Sequence, residues 1–313
     1  RVVGWWCSSD DLVAKDSSIA LVEAESPSQI RDEFEFSGLS VVCTNPQTDS
    51  YADYRCDFEL WEVDSGFMMY IGCNVTYSKF FDDGTLRTFL TYGIDRQTLV
   101  GDNYGGLALP TTLPISPMSP YYSKSLATNY DYDEMRFIDA ASKFRVPTND
   151  KGVPRTLQLL VNSDDSARLR CARNIAATLT ELGLACETVE SPTSVYEARL
   201  QAANYDIYLG ITKLPTTADL SEFYRPWGEM SWGGLANETI YNMVNQSLAD
   251  RGNYYNLHKL VADDGRIIPV MAGYYAIYAK RGVLSDLNPA RDNVFYYTLG
   301  KTMESSKVAT QFS

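Results

Sequence analysis

The chain is short of the groups that perform chemistry unaided. Histidine occurs once in 313 residues, at His258. A histidine-rich metal centre is therefore excluded, and any serine or cysteine nucleophile would have a single imidazole to serve as its base. His258 stands beside Lys259 among helix-forming residues, where a surface or half-buried helical histidine is expected rather than a catalytic one. There is no GxSxG elbow, no GxxxxGK phosphate loop and no GxGxxG turn, so the signatures of the common hydrolase, nucleotide and dinucleotide chemistries are missing. The six cysteines (Cys7, Cys43, Cys56, Cys73, Cys171, Cys186) form no CxxC pair and have no histidine nearby. That excludes a zinc site of the usual spacing.

Positive charge is also scarce. Lys and Arg number 27 against 40 Asp and Glu, for a net charge of −13, and no basic stripe interrupts the acidity. Such a chain repels phosphate backbones, which argues against nucleic-acid binding. No apolar run is long enough to cross a bilayer. The nearest, Ile267 to Ala279, is broken by Pro269 and Gly273 and reads as a buried strand. The sequence opens at Arg1-Val2-Val3-Gly4-Trp5-Trp6 without a signal-peptide pattern, as a mature terminus, a trimmed chain or a cytosolic protein would. Internal repeats and low-complexity segments are absent.

What is present is an ordinary globular balance, 45% hydrophobic and 21% charged, long enough for two cores. Aromatics tilt toward tyrosine, 22 against 12 Phe and 5 Trp, which suits ligand contact as well as packing. Ile19 to Val22 reads as a strand, Pro27 to Phe36 as a helix stopped by Gly38, and Leu39 to Cys43 as a second strand. Phe58 to Val63 and Phe67 to Val75 read as strands on either side of Asp64-Ser65-Gly66. A helix follows Asp82-Asp83-Gly84, with Leu86, Phe89, Leu90 and Ile94 on one face, and Asp95 caps another. Four prolines between 105 and 122 impose an extended loop, and Asp131 to Lys143 returns to helix.

The clearest pattern follows. Thr156 to Val161 is an apolar strand, and Leu169, Ala172, Ile175, Ala176, Leu179 and Leu182 recur at helical spacing until Gly183. Leu184 to Val189, a helix over Ser194 to Ala203 and the strand Tyr205 to Ile211 complete the alternation. Strands alternating with helices imply an α/β fold with a mainly parallel sheet covered on both faces. Ligands of such sheets collect where strand C-termini meet loops, here Gly210 to Asp219. Helices over Glu238 to Leu248 and Tyr255 to Ala262 precede the strand Ile267 to Ala279. The pairs Cys43 with Cys56 and Cys171 with Cys186 are placed to form disulfides outside the cell, or to remain buried free thiols.

Three stretches resemble family 5 extracellular solute-binding proteins, the oligopeptide- and dipeptide-binding components of ABC importers. Asp83 to Arg96, reading DGTLRTFLTYGIDR, resembles a family helix ending in Ile-Asp-Arg. Leu159 to Gly210 is similar to the family's strand, helix ending Leu182-Gly183, and strand opening Tyr205-Asp206-Ile207. Leu260 to Val270, reading LVADDGRIIPV, resembles a segment with an acid before an Ile-Pro step. Ser37-Gly38-Leu39-Ser40 and Gly4-Trp5-Trp6 add weaker likenesses. The resemblance begins in mid-family and implies a two-lobed, type II periplasmic-binding-protein fold with lobe I incomplete. Residues 1–74 and 273–313 would belong to lobe I and residues 75–272 to lobe II.

It further implies capture of a small solute, a peptide by the family's habit, by a monomer that hands it to ABC permease subunits in the membrane. The setting would be the periplasm or the cell surface, with a lipoprotein anchor, and neither catalysis, metal nor cofactor is implied. The ligand wall would comprise Gly210, Ile211, Thr212, Lys213, Asp219, Tyr224, Trp227 and Trp232. Peptide binders often carry an acid after the Tyr-Asp-Ile strand to hold the peptide ammonium. Thr212-Lys213 replaces it here, leaving Asp219 as a substitute or Lys213 as a partner for a carboxylate. The alternatives are a carboxylate-dependent hydrolase on an α/β scaffold and a non-transporting sensory or structural homologue.

Overall fold

The computed structural model describes residues 22, 26–36, 38–46, 54–283, 287 and 289–291. Its first elements are α1 (Pro27–Phe36), β1 (Val41–Thr44), β2 (Phe58–Cys73), α2 (Thr85–Phe89), α3 (Arg96–Tyr104) and β3 (Leu109–Pro110). Then come α4 (Lys124–Thr128), α5 (Glu134–Lys143), β4 (Leu157–Asn162), α6 (Ser166–Glu181), β5 (Cys186–Ser191), α7 (Thr193–Gln201) and β6 (Ile207–Lys213). The last are α8 (Ser221–Tyr224), α9 (Glu238–Ala249), α10 (Tyr254–Asp264) and β7 (Ile267–Lys280). Contacts divide the chain into one unit of Arg1–Ser65 with Tyr274–Ser313 and another of Gly66–Gly273.

In the first unit β1 pairs antiparallel with the end of β7, Val41 opposite Ala279 and Thr44 opposite Ala276. Phe34 of α1, Tyr54, Phe58 and Tyr278 pack ring against ring, at centroid distances of 4.9 Å for Phe34–Tyr54 and 4.7 Å for Tyr54–Tyr278. The Gly4-Trp5-Trp6 landmark, Cys7 and nearly all of the expected strand Ile19 to Val22 lie outside the described residues.

The second unit is built on β4, β5 and β6. β4 pairs parallel with β5 (Leu157 opposite Cys186) and with β6 (Leu159 opposite Ile207), as the strand–helix alternation predicts. Beyond β6 the sheet turns antiparallel: β2 joins β6 with Phe67 opposite Lys213 and Cys73 opposite Ile207. The sheet is thus mixed, because β2 and β7 enter it as single passes without the crossover helices that parallel neighbours need. Both faces are buried. Met69, Ile71, Leu159, Val161, Ile207 and Leu209 face one core with α2, α5 and α6, while Met68, Tyr70, Leu160 and Tyr208 face another with α7, α9 and α10. Double-sided burial explains why these strands read as apolar runs rather than alternating ones.

The two strands expected on either side of Asp64-Ser65-Gly66 are one. β2 runs unbroken for 16 residues, with Gly66 at φ 78. The Gly66 carbonyl accepts from the Leu214 amide at 2.8 Å, so pairing continues past the bend. Helix ends follow the sequence closely. Asp95 accepts from the Thr98 amide and Asp165 from the Arg168 amide, and Gly183 and Gly265 take the left-handed conformation just past α6 and α10. The five described cysteines are free thiols, so neither candidate pair is joined. Burial pushes the Cys171 and Cys186 thiols up to about 12.

The first and third of the stretches that carry the family resemblance hold each other, and the second is tied to residues just outside them. Arg96 is 2% exposed and donates to the carbonyls of Pro269, Thr91 and Ile94 and to the Thr91 hydroxyl. Arg87 donates to the carbonyl and carboxylate of Asp264. Asp206 accepts from the Ser78 hydroxyl at 2.5 Å and the Gln158 amide at 2.9 Å. A buried guanidinium with four protein acceptors meets most of its desolvation cost through hydrogen bonds, without a carboxylate.

Candidate functional site

The C-terminal end of β6 is where burial gives way to exposure. Ile207 to Gly210 are buried, whereas Ile211 and Lys213 are exposed and Thr212 is half-buried. The change follows from pairing: β4 matches β6 only at Ile207 and Tyr208, so the last residues of β6 run past it. This is the strand end at which parallel α/β sheets present ligands.

Gly210 serves packing. Across the β2–β6 pair it stands opposite Tyr70, and Gly72 stands opposite Tyr208. A Cβ on Gly210 would lie 2.7 Å from the Tyr70 ring, and one on Gly72 would lie 2.2 Å from the Tyr208 ring. Each tyrosine therefore lies over the glycine facing it, and the two rings meet edge to face at 5.7 Å. Tyr224, expected on the ligand wall, is instead fully buried, its ring 6.4 Å from that of Phe223. Its place in the core follows from α8, which turns both aromatic residues inward against β2 and β6. Trp232 is half-buried, edge-on to Tyr208 at 6.0 Å.

Asp219 is engaged locally. Its Oδ1 accepts from the Ser221 amide at 2.8 Å and the Ser221 hydroxyl at 2.6 Å, an Asx turn that opens α8. One oxygen remains uncommitted, so Asp219 is half available as a stand-in for the missing acid.

Trp227 is the reverse case, 95% exposed. It occupies the third position of a β-turn, Arg225-Pro226-Trp227-Gly228, closed by the Gly228 amide on the Arg225 carbonyl at 3.1 Å. Its φ is 61°, a conformation that this turn normally gives to glycine. The turn is braced from behind. Arg225 makes a two-pronged ion pair with Glu222 at 3.0 and 2.8 Å, and Glu222 also accepts the Glu229 amide at 2.9 Å. These donors hold the Glu222 carboxyl below its usual range. Three residues beyond Trp227, Met230 receives the Thr212 hydroxyl on its sulfur at 3.5 Å, tying the turn to the exposed end of β6.

Of the residues expected on the wall, Thr212 donates to the Met230 sulfur and Trp232 lies against Tyr208. Sequence reasoning missed Met230 and Glu222, whose parts depend on contacts that no local pattern announces. An open cavity of about 540 Å³ lies elsewhere in the second unit, lined among others by Tyr92, Tyr130, Asp131, Arg136 and Asp263. Among the described residues no group of three His, Cys, Asp or Glu side chains could hold a metal, and no helix is long and apolar enough to cross a membrane. The carboxylates with displaced pKa values are all lowered: Asp164 by Thr193, Glu190 by Arg173, Glu222 by Arg225, and Asp263, against the effect of burial, by Lys259 and Tyr130.

The family profile described as bacterial extracellular solute-binding proteins, family 5 Middle, matches residues 23–234, more than half of the chain. No curated protein is significantly similar in sequence. Among solved structures, AppA from Clostridium difficile superposes with a TM-score of 0.72 at 15% identity, over 93% of this chain and 61% of its own. The oligopeptide-binding protein AppA from Bacillus subtilis, in complex with a nonapeptide, gives 0.60 at 17% identity, over 76% and 51%. NikA from Brucella suis, in complex with Fe(III)-EDTA, gives 0.64 at 14%, over 91% and 61%. The chain thus spans about half to three fifths of the length of these structures, and at such identities the likeness is one of fold.

Proposed function

Because the chain belongs to the family 5 bacterial extracellular solute-binding proteins and has the type II periplasmic-binding-protein fold, we propose that it is the part of an importer's capture protein that carries the ligand-binding lobe. The solute is a peptide, bound without catalysis outside the cell, in the periplasm or on a surface lipoprotein, and passed by a monomer to ABC permease subunits. The observation behind this reading is the exposed end of β6, Ile211 to Lys213, on a parallel strand whose preceding residues are buried. In the proposal residues 75–272 form lobe II, and residues 1–74 and 273–313 belong to lobe I. Closure of the lobes of the whole protein over the solute stabilises the closed state through differential affinity.

Ile211, Thr212 and Lys213 supply the wall, with Trp227 and Asp219 contributed by the segment that follows β6. Gly210, Tyr224 and Trp232 support the wall from the core. The test uses the full-length protein with a tryptic casein digest as probe. A rise in melting temperature together with a smaller radius of gyration by X-ray scattering is expected. An unchanged radius under saturating digest refutes capture by closure.

A further inference from the structure

Trp227 combines three properties that rarely coincide. Its indole is 95% exposed, so burial contributes nothing to holding it in place. Its backbone sits at φ 61, a conformation that bulky L-residues adopt only against steric resistance. And its turn is rigid: besides the Glu222 bracing, Gly228 packs so closely on the Glu222 carbonyl that a Cβ there would lie 2.2 Å from it. A large apolar ring displayed at a conformational cost on a stiff support is a surface prepared for contact.

The surroundings indicate what that contact would be. The tie from Thr212 to Met230 places the turn beside the exposed end of β6, on the side of the sheet where ligands gather. Indole is the side chain that attracts cations most strongly over its face. Glu229, two residues on, is exposed, and its carboxylate accepts no hydrogen bond among the described residues. Arg225, the nearest basic group in the turn, is already held by Glu222. The turn therefore carries an exposed ring and, two residues on, an exposed carboxylate whose charge acts on Arg225 without a hydrogen bond among the described residues. A guanidinium matches both, stacking its plane on indole and sharing its N–H groups with a carboxylate.

We propose that Trp227 and Glu229 form a specificity subsite that selects solutes bearing a guanidinium, namely arginine-containing peptides. This rests on the capture reading above. It also offers a reason for the strained turn, which orients the indole before the ligand arrives.

The test is isothermal titration of the full-length protein with three tripeptides, Ala-Arg-Ala, Ala-Lys-Ala and Ala-Ala-Ala. The arginine peptide should bind about tenfold more tightly than the alanine peptide, with lysine between them. Trp227→Ala should bring the ratio of Ala-Arg-Ala to Ala-Ala-Ala affinity down to about one, whatever its effect on each affinity, and Glu229→Gln should reduce that ratio. Trp227→Gly, which suits the turn, serves as the folding control: it should melt no lower than the parent yet show the same lost preference. Equal affinity for all three peptides in the parent, or a preference that survives Trp227→Ala, overturns the subsite and leaves the capture reading standing. Binding of none of the three, together with no response to the casein digest, overturns the capture reading itself.

Discussion

The sole histidine sets how the fold should respond to acid. His258 lies on α10, on the face that buries Tyr254, Leu257 and Val261. It is 0% exposed, and neither ring nitrogen has a hydrogen-bond partner. The Tyr254 ring lies 5.6 Å away. Loss of hydration alone pushes its pKa down from 6.5 to about 4. The folded state thus holds the neutral imidazole, while the unfolded chain binds a proton below pH 6.5. Stability from this group is complete above pH 6.5, drains away as pH falls toward 4, and is gone below that. A gap of this size corresponds to about 3 kcal/mol.

The perturbation is His258→Leu, which keeps an apolar side chain at the position and removes the titration. Urea unfolding of parent and variant at pH 7.5 and pH 4 should show the parent losing about 3 kcal/mol more than the variant between the two conditions. Carboxylate titrations are common to both proteins and cancel in the difference. At a slope of about 1–3 kcal/mol per molar urea, the extra shift in midpoint is roughly 1–3 M. With one imidazole in the chain, its NMR signal needs no assignment, and its midpoint should lie near 4. A midpoint above 6, or a stability difference that does not change with pH, would refute the reasoning.

Two further expectations follow from backbone and packing. Ala203, just past the end of α7, is held at φ 51, and its carbonyl receives the Asn74 side-chain amide at 2.9 Å. Ala203→Gly should therefore stabilise the protein by about 1 kcal/mol, seen as a raised melting temperature; a lower one contradicts the strain. Gly72→Ala should destabilise by about 1–3 kcal/mol because Tyr208 fills the space. Adding Tyr208→Leu should return part of that loss in a double-mutant cycle, and strict additivity would show that the two positions do not compete.

Much of the second unit was legible in the sequence because its signals are local. The cap Asp95, the stop Gly183 and the apolar rows of α6 act within a turn or two of chain. They act the same way wherever the segment lies. The expected separation of two strands at Asp64-Ser65-Gly66 failed for the complementary reason. A turn signal gives only a local preference, and here the Gly66 carbonyl is drawn into pairing with Leu214, far along the chain. His258 was placed near the surface because composition around it is polar, yet α10 turns that face into the core.

The sequence by itself determined the alternation of strands and helices and the family likeness in three stretches. The tertiary structure decided what those stretches are for. Arg96 reaches Pro269 across 173 residues and Asp206 reaches Ser78 across 128, so they are fastenings of the fold rather than ligand contacts. It also decided that Tyr224 faces inward and Trp227 outward, although only Arg225 and Pro226 separate them. The physical reason is that periodicity and capping are properties of neighbouring residues, whereas burial depends on which distant elements arrive at each face.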